Sequence, residues 1–191
     1  MGTRQAIRCV GFDIGKATDH PALVEVEGRR GGKERGEQPR TVTNCAELPL
    51  DVDYSDLVDL IDPFVRGSDL IMVDGSGVGR AIFDYVRKRY PQAWAVITTG
   101  GQKARTDPEK RLVYMPKQRM IERLVTDMEN GLFQFRAVGH LRLLGQQLKH
   151  FQGRPSDASG TMLYEAAPGH HDDLVMALAL AWIGFTSDED W

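Results

Sequence analysis

The chain has 191 residues, 41% of them apolar and 27% charged, with a formal net charge of −3. That is enough chain for one α/β domain with a buried core, and the composition excludes disordered and fibrous classes. The slight acidic excess argues against general adhesion to nucleic acid, though a local basic face remains open. No apolar run reaches membrane-span length, and "MGTRQAIRCVGFDIG" lacks the features of a signal peptide.

"IRCVGFDI" (Ile7–Ile14) is a short apolar run ending in Asp and Gly, which predicts a buried strand. "PALVEVEG" (Pro21–Gly28) alternates apolar and acidic residues as a half-exposed strand does. "RRGGKERGEQPR" (Arg29–Arg40) is glycine-rich and charged, and reads as a mobile hairpin tip before a third strand, "TVTNCAEL" (Thr41–Leu48). The chain is therefore expected to open with an antiparallel meander. Cys9 and Cys45 lie in these strands and read as buried thiols of a reducing cytoplasm, with neither in a zinc-spaced cluster.

The pattern then changes to helix and strand in alternation. "DYSDLVDLIDPFVRG" puts Leu57, Leu60, Ile61 and Phe64 on one helical face, and "DLIMVDG" (Asp69–Gly75) is a buried strand. "GVGRAIFDYVRKRY" repeats apolar residues at Val78, Ile82, Tyr85 and Val86, and "AWAVITT" (Ala93–Thr99) is another buried strand. Such alternation predicts parallel pairing through right-handed crossovers. Residues 98–111 read as a second flexible loop, followed by a short extended piece, "LVYMP". A helix is expected with Ile121, Leu124, Val125 and Met128 on its inner face, closed by Gly131. "LFQF" is a short strand, and Leu141, Leu144, Leu148 and Phe151 share a helical face. Gly153–Gly160 reads as a loop, "TMLYEA" as a strand, and a last, apolar helix begins at Asp172. The whole is one α/β domain, residues 1–191, with a central mixed sheet flanked by helices.

Three of these elements carry carboxylates at their ends. Asp13 closes the first strand, Asp74 the fourth, and Asp172 and Asp173 open the last helix. Each has an ordinary reading: Asp13 and Asp74 as turn residues, Asp172 and Asp173 as a helix cap that complements the dipole. Strands one and four can lie side by side, however, which would bring their acids together. Clustered like charges repel and call for a cation, and an all-oxygen ligand set selects Mg²⁺ or Mn²⁺ over Zn²⁺. "GSGVGRA" lacks the spacing of a phosphate loop or a dinucleotide fingerprint; its glycines serve a sharp turn beside Asp74.

"GFDIGKATDHPALVEV", "LIMVDGSGVGRAIFDYV", "VYMPKQRMIERLVTDMENGLFQF" and "HDDLVMALALAW" occur in the order found in the C-terminal nuclease domain of the large terminase subunit of tailed phages, and the chain resembles that family from about Ile7 to Phe185. The resemblance implies an RNase H-like fold, with three antiparallel strands and then parallel ones. It also implies cleavage of double-stranded DNA with two Mg²⁺ or Mn²⁺ ions. By residue match, Asp13 and Asp74 are ligands and the "HDD" pair supplies the third, with Asp173 favoured as the direct ligand and Asp172 as ligand or support. Asp19 resembles an additional acid that some members carry. Where many relatives have a further acid one turn into the last helix, this chain has Met176.

The family further implies partners: a packaging ATPase domain, a portal and a small terminase subunit, in the cytoplasm of an infected or lysogenic bacterial host, with no membrane. This chain has no Walker A sequence, which fits either an excised domain or a stand-alone relative. Candidate DNA contacts are Lys103, Arg105, Lys110, Arg111, Lys117 and Arg119, with a second basic tip at Arg29, Arg30, Lys33 and Arg35. His20, His170 and His171 lie near acids in sequence. Two other readings stay open: a Holliday-junction resolvase-like nuclease, and a non-catalytic packaging module with a vestigial site.

Overall fold

The computed structural model describes residues 6–15, 19–29, 39–136, 138–156 and 162–186. The described residues form ten strands and five helices in the order β1 (Ala6–Asp13), β2 (Ala22–Arg29), β3 (Arg40–Glu47), α1 (Tyr54–Val65), β4 (Leu70–Asp74), α2 (Gly79–Arg89), β5 (Ala93–Thr99), β6 (Arg105–Asp107), β7 (Leu112–Pro116), α3 (Lys117–Glu129), β8 (Phe133–Phe135), α4 (Leu141–His150), β9 (Phe151–Pro155), β10 (Met162–Ala166) and α5 (Asp173–Ile183). Eight strands make one mixed sheet in the order β6-β7-β5-β4-β1-β2-β3-β8. β1, β2 and β3 are antiparallel, as the early meander predicted, and β4, β5 and β7 run parallel to β1.

Side chains alternate between the two faces of a strand, and the core divides accordingly. Val10 and Phe12 of β1, with Ile71 and Val73 of β4, pack beneath α1 and α2. Cys9, Met72 and Val96 face the other way, into a second layer that includes nearly all of α5 together with parts of α3 and α4. α5 is buried on almost every side because α3 and α4 cover it from above while β1 and β2 lie below. Cys9 and Cys45 are buried and not joined to each other. Among the described residues no helix is long and apolar enough to cross a membrane.

The buried helix faces are turned slightly from those expected. α1 buries Val58 and Val65 and leaves Leu60 40% exposed, while α2 buries Phe83 and exposes Val78 and Tyr85. Two strands were missed. β6 lies inside residues 98–111, which were expected to be a loop; it is a short polar edge strand antiparallel to β7. Phe151 opens β9 rather than closing α4, and β9 pairs with β10 as a separate hairpin. β9 is "FQGRP", mostly exposed and without apolar alternation, so no periodic signal betrays it. Most of the expected tip at Arg29–Arg40 lies outside the described residues, including Arg30, Lys33 and Arg35.

Candidate metal centre

Strand parity brings the first acids together. Cys9 and Met72 face the α5 layer, so Asp13, four residues past Cys9, and Asp74, two past Met72, face it too. β1 and β4 pair in parallel with Phe12 opposite Val73, which sets Asp13 and Asp74 side by side one step further on. α5 starts above this edge, and its first residue, Asp173, is only 4% exposed.

The acids act on one another strongly. Burial, and then the charge of Asp74, push the Asp13 carboxyl up to about 7; the Gly15 N–H, which donates to its Oδ1 at 3.2 Å, opposes the shift, and Asp173 and Asp172 add to it. Burial, then Asp19 and Glu47, push Asp173 up to about 6, with His171 pulling the other way. The Oδ2 atom of Asp173 is buried and has no hydrogen-bond partner among the described residues. His171 Nδ1 stands 3.8 Å from it. Asp74 Oδ1 accepts the Ser76 N–H at 2.8 Å, a local turn that holds the carboxylate at the strand end.

Asp172 occupies the N-cap position of α5 yet makes no side-chain capping hydrogen bond. Its charge instead bears on both Asp13 and Asp173. Asp19 belongs to the same electrostatic group through Asp173. Gly15, at φ +70°, lets the chain fold back so that the Asp19 carbonyl lies where a Cβ would stand. Of the histidines, His171 faces Asp173, and His20 meets His171 edge-on at 6.4 Å. His170 turns instead to His150, stacked at 3.8 Å.

Glu47 belongs to the same acidic edge, its charge acting on Asp173, and no local sequence pattern marks it. Asp13 pairs with Ala22 across β1 and β2, and Ala22 pairs with Glu47 across β2 and β3. Directly opposed residues share a face, so Asp13, Ala22 and Glu47 form one row, with a methyl group between two carboxylates. Only the register shows this.

The basic residues divide into two groups. Lys117 and Arg119 begin α3 at the C-terminal end of β7, Lys103 lies in the connection beyond β5, at the same end, and Arg105 opens β6. The Arg105 guanidinium sits 3.6 Å from the centre of the Tyr114 ring. Lys110 and Arg111 lie instead in the turn before β7. Lys110 pairs with Asp107 at 3.4 Å, and Arg111 lines a surface hollow with Arg87, Lys88 and Pro91 at the far end of α2. The expected continuous basic stretch is thus broken, with these two cations away from the acidic edge. Arg29 ends β2, also at the far end of the sheet.

Among the described residues no three His, Cys, Asp or Glu side chains close a cage around a single point. The donor chemistry nevertheless fits a hard divalent cation. The converging groups are carboxylates, one with an oxygen that is buried and unpartnered among the described residues, and two are held toward their protonated forms by burial and like charge. A cation removes both penalties at once.

No protein-family model and no curated protein matches the chain. Solved structures do. The large terminase nuclease from thermophilic phage G20c with bound magnesium superposes with a TM-score of 0.63 at 21% identity, covering 97% of this chain and 84% of that one. The nuclease domain of the large terminase g2p from bacteriophage SPP1, with bound Mn, gives 0.52 at 13% identity over 94% and 86% of the two chains. The human cytomegalovirus terminase nuclease domain, Mn-soaked, gives 0.53 at 12% identity over 93% and 83%. Over nearly its whole length, then, the chain has the RNase H-like fold of the large terminase nuclease domains.

Proposed function

We propose that the chain is a divalent-metal-dependent endonuclease that cuts double-stranded DNA during viral genome packaging. The observation that carries this reading is the convergence of Asp13, Asp74 and Asp173 on one sheet edge, with Asp172 and Asp19 acting electrostatically on the same group. The metal-bound terminase nucleases that share the fold support it.

Asp13, Asp74 and Asp173 are the direct ligands in this reading, and Asp172 and Asp19 supplement them, for two Mg²⁺ or Mn²⁺ ions. Bound there, the ions would supply an activated water and stabilise charge on the leaving oxygen. The chain's own residues do the rest. Asp13 feels the charges of Asp74, Asp173 and Asp172 and would be the central ligand of the group. Ser76 holds Asp74 in place through its backbone N–H. Lys103, Arg105, Lys117 and Arg119 hold the phosphate backbone beside the acids, a contact that reads no base sequence. His171 sits beside Asp173 and restrains its carboxylate. A packaging ATPase domain, a portal and a small terminase subunit are the partners this role requires, in the cytoplasm of a bacterial host.

Digestion of supercoiled plasmid in Mn²⁺, Mg²⁺ or chelator tests the proposal. Nicked and linear products with either ion, and none with chelator, are expected. Intact plasmid under all three conditions would refute it.

A further inference from the structure

α5 begins in the interior. Leu174 is fully buried, so its backbone N–H cannot turn to water, and a helix's first turn offers it no carbonyl. An aspartate at the N-cap ordinarily accepts such an amide, but the Asp172 side chain makes no capping bond. The Leu174 N–H donates instead to Oε1 of Gln147, at 2.8 Å. Gln147 belongs to α4 and is 5% exposed. Its Nε2 donates to Oε1 of Glu47, at 2.6 Å. Both ends of one buried amide are therefore committed, one to the start of α5 and one to the end of β3. Glu47 is held a second time by α4's entry, since its backbone N–H donates to Nδ1 of His140 at 3.0 Å.

We infer that Gln147 is the positioning residue of the acidic edge: it caps α5 from outside the helix, leaving the carboxylates of Asp172 and Asp173 for a cation, and it fixes Glu47 next to Asp173. The inference rests on the reading of this edge as a divalent-metal centre. The side chain has to be an amide. A hydrocarbon would strand the Leu174 N–H and the Glu47 oxygen, and a carboxylate would set a like charge against Glu47. Glutamine supplies an acceptor and a donor with no charge of its own.

The test compares the full chain with Gln147→Met, Gln147→Glu and the exchange Gln147→Glu/Glu47→Gln. Mn²⁺ affinity is read by calorimetry and protection of the Leu174 amide by hydrogen exchange. Methionine keeps the length of the side chain and removes both hydrogen bonds. Groups that orient metal ligands typically matter about 10–100-fold in affinity, so Gln147→Met is expected to bind Mn²⁺ about tenfold more weakly or worse. It should also lose Leu174 protection while still melting cooperatively. The exchange restores a donor facing an acceptor at unchanged net charge, and both readouts should recover from the Gln147→Glu values toward wild type.

Wild-type Mn²⁺ affinity in Gln147→Met, or an exchange variant no better than Gln147→Glu, would overturn the positioning role. If Gln147→Met does not fold, the comparison of the exchange with Gln147→Glu decides alone. A wild-type chain that binds no Mn²⁺ overturns the metal reading and this inference together. Mn²⁺ binding that ignores position 147 overturns the inference alone.

Discussion

Gly11 of β1 lies so close to Ala177 of α5 that a Cβ on residue 11 would stand 1.9 Å from the Ala177 carbonyl oxygen and 2.4 Å from the Ala181 nitrogen. Nothing but backbone separates strand and helix at this crossing. That closeness sets the height of α5 over the sheet, and with it the approach of Asp173 to Asp13. Gly11→Ala must push the helix away. Overpacking of this kind costs about 1–3 kcal/mol, and more where the obstacle is backbone, so a loss of about 3 kcal/mol is expected in urea unfolding. A midpoint unchanged from wild type would show that α5 does not rest on β1 there.

The raised carboxyls make a signed prediction about pH. Asp13 and Asp173 sit at about 7 and about 6, against an ordinary aspartate value of 3.8. A carboxyl raised on folding favours the folded state while it is protonated. Its contribution is full below the unfolded value and falls as pH rises toward the folded one, because the unfolded chain gives up its proton first. The metal-free chain should therefore lose stability from these groups between about pH 4 and about pH 7. Asp13→Asn removes one of them, and in chelator at about pH 8 it should be more stable than wild type by a few kcal/mol, on the order set by the shift. Denaturation at pH 5 and pH 8 measures the difference. An equal gap between the two proteins at both pH values would contradict the assignment.

The divided basic residues make a prediction about DNA. Lys103→Ala and Lys117→Ala should each weaken duplex binding in chelator irrespective of sequence, and lower the salt slope by about 1. Lys110→Ala should do neither, since Lys110 lies at the far turn and pairs with Asp107. Fluorescence anisotropy at two ionic strengths distinguishes them. An equal loss at Lys110 would place the DNA elsewhere.

Away from the acidic edge, Asp127 of α3 accepts from Arg40 Nη1 at 2.5 Å and from Trp182 Nε1 at 2.8 Å. It joins β3, α3 and the end of α5. Arg40 is 9% exposed, so Asp127→Ala leaves a buried guanidinium without its counter-charge, at a cost of about 3 kcal/mol. Mn²⁺ affinity should not change, because the node sits at the other end of α5. A destabilisation under about 0.5 kcal/mol, the range of an ordinary surface substitution, would contradict this view.

The ends of β1, β4 and α5 were legible from residues alone because each is an apolar run bounded by an aspartate. Glu47 was not, since an acid at the end of a half-exposed strand looks like any solvated residue; its place depends on the Asp13–Ala22–Glu47 register. Gln147 is a polar residue amid Leu144 and Leu148, and its burial arises from α5 packing over it, a tertiary fact without a local trace. Lys110 and Arg111 looked continuous with Lys117 and Arg119 because a linear run of cations conceals the length of β7, which carries the chain from the far turn to the acidic end of the sheet. His170 looked like a neighbour of the acids for the same reason; one residue of separation was enough to send it to His150 while His171 faced Asp173.

Calorimetric titration of Mn²⁺ at neutral pH into the wild-type chain, Asp13→Asn, Asp74→Asn and Asp173→Asn tests the shared-cation claim most directly. The account predicts that wild type binds and that each variant, while still folding cooperatively, loses at least about tenfold in affinity. Three variants that bind Mn²⁺ as wild type does would contradict it.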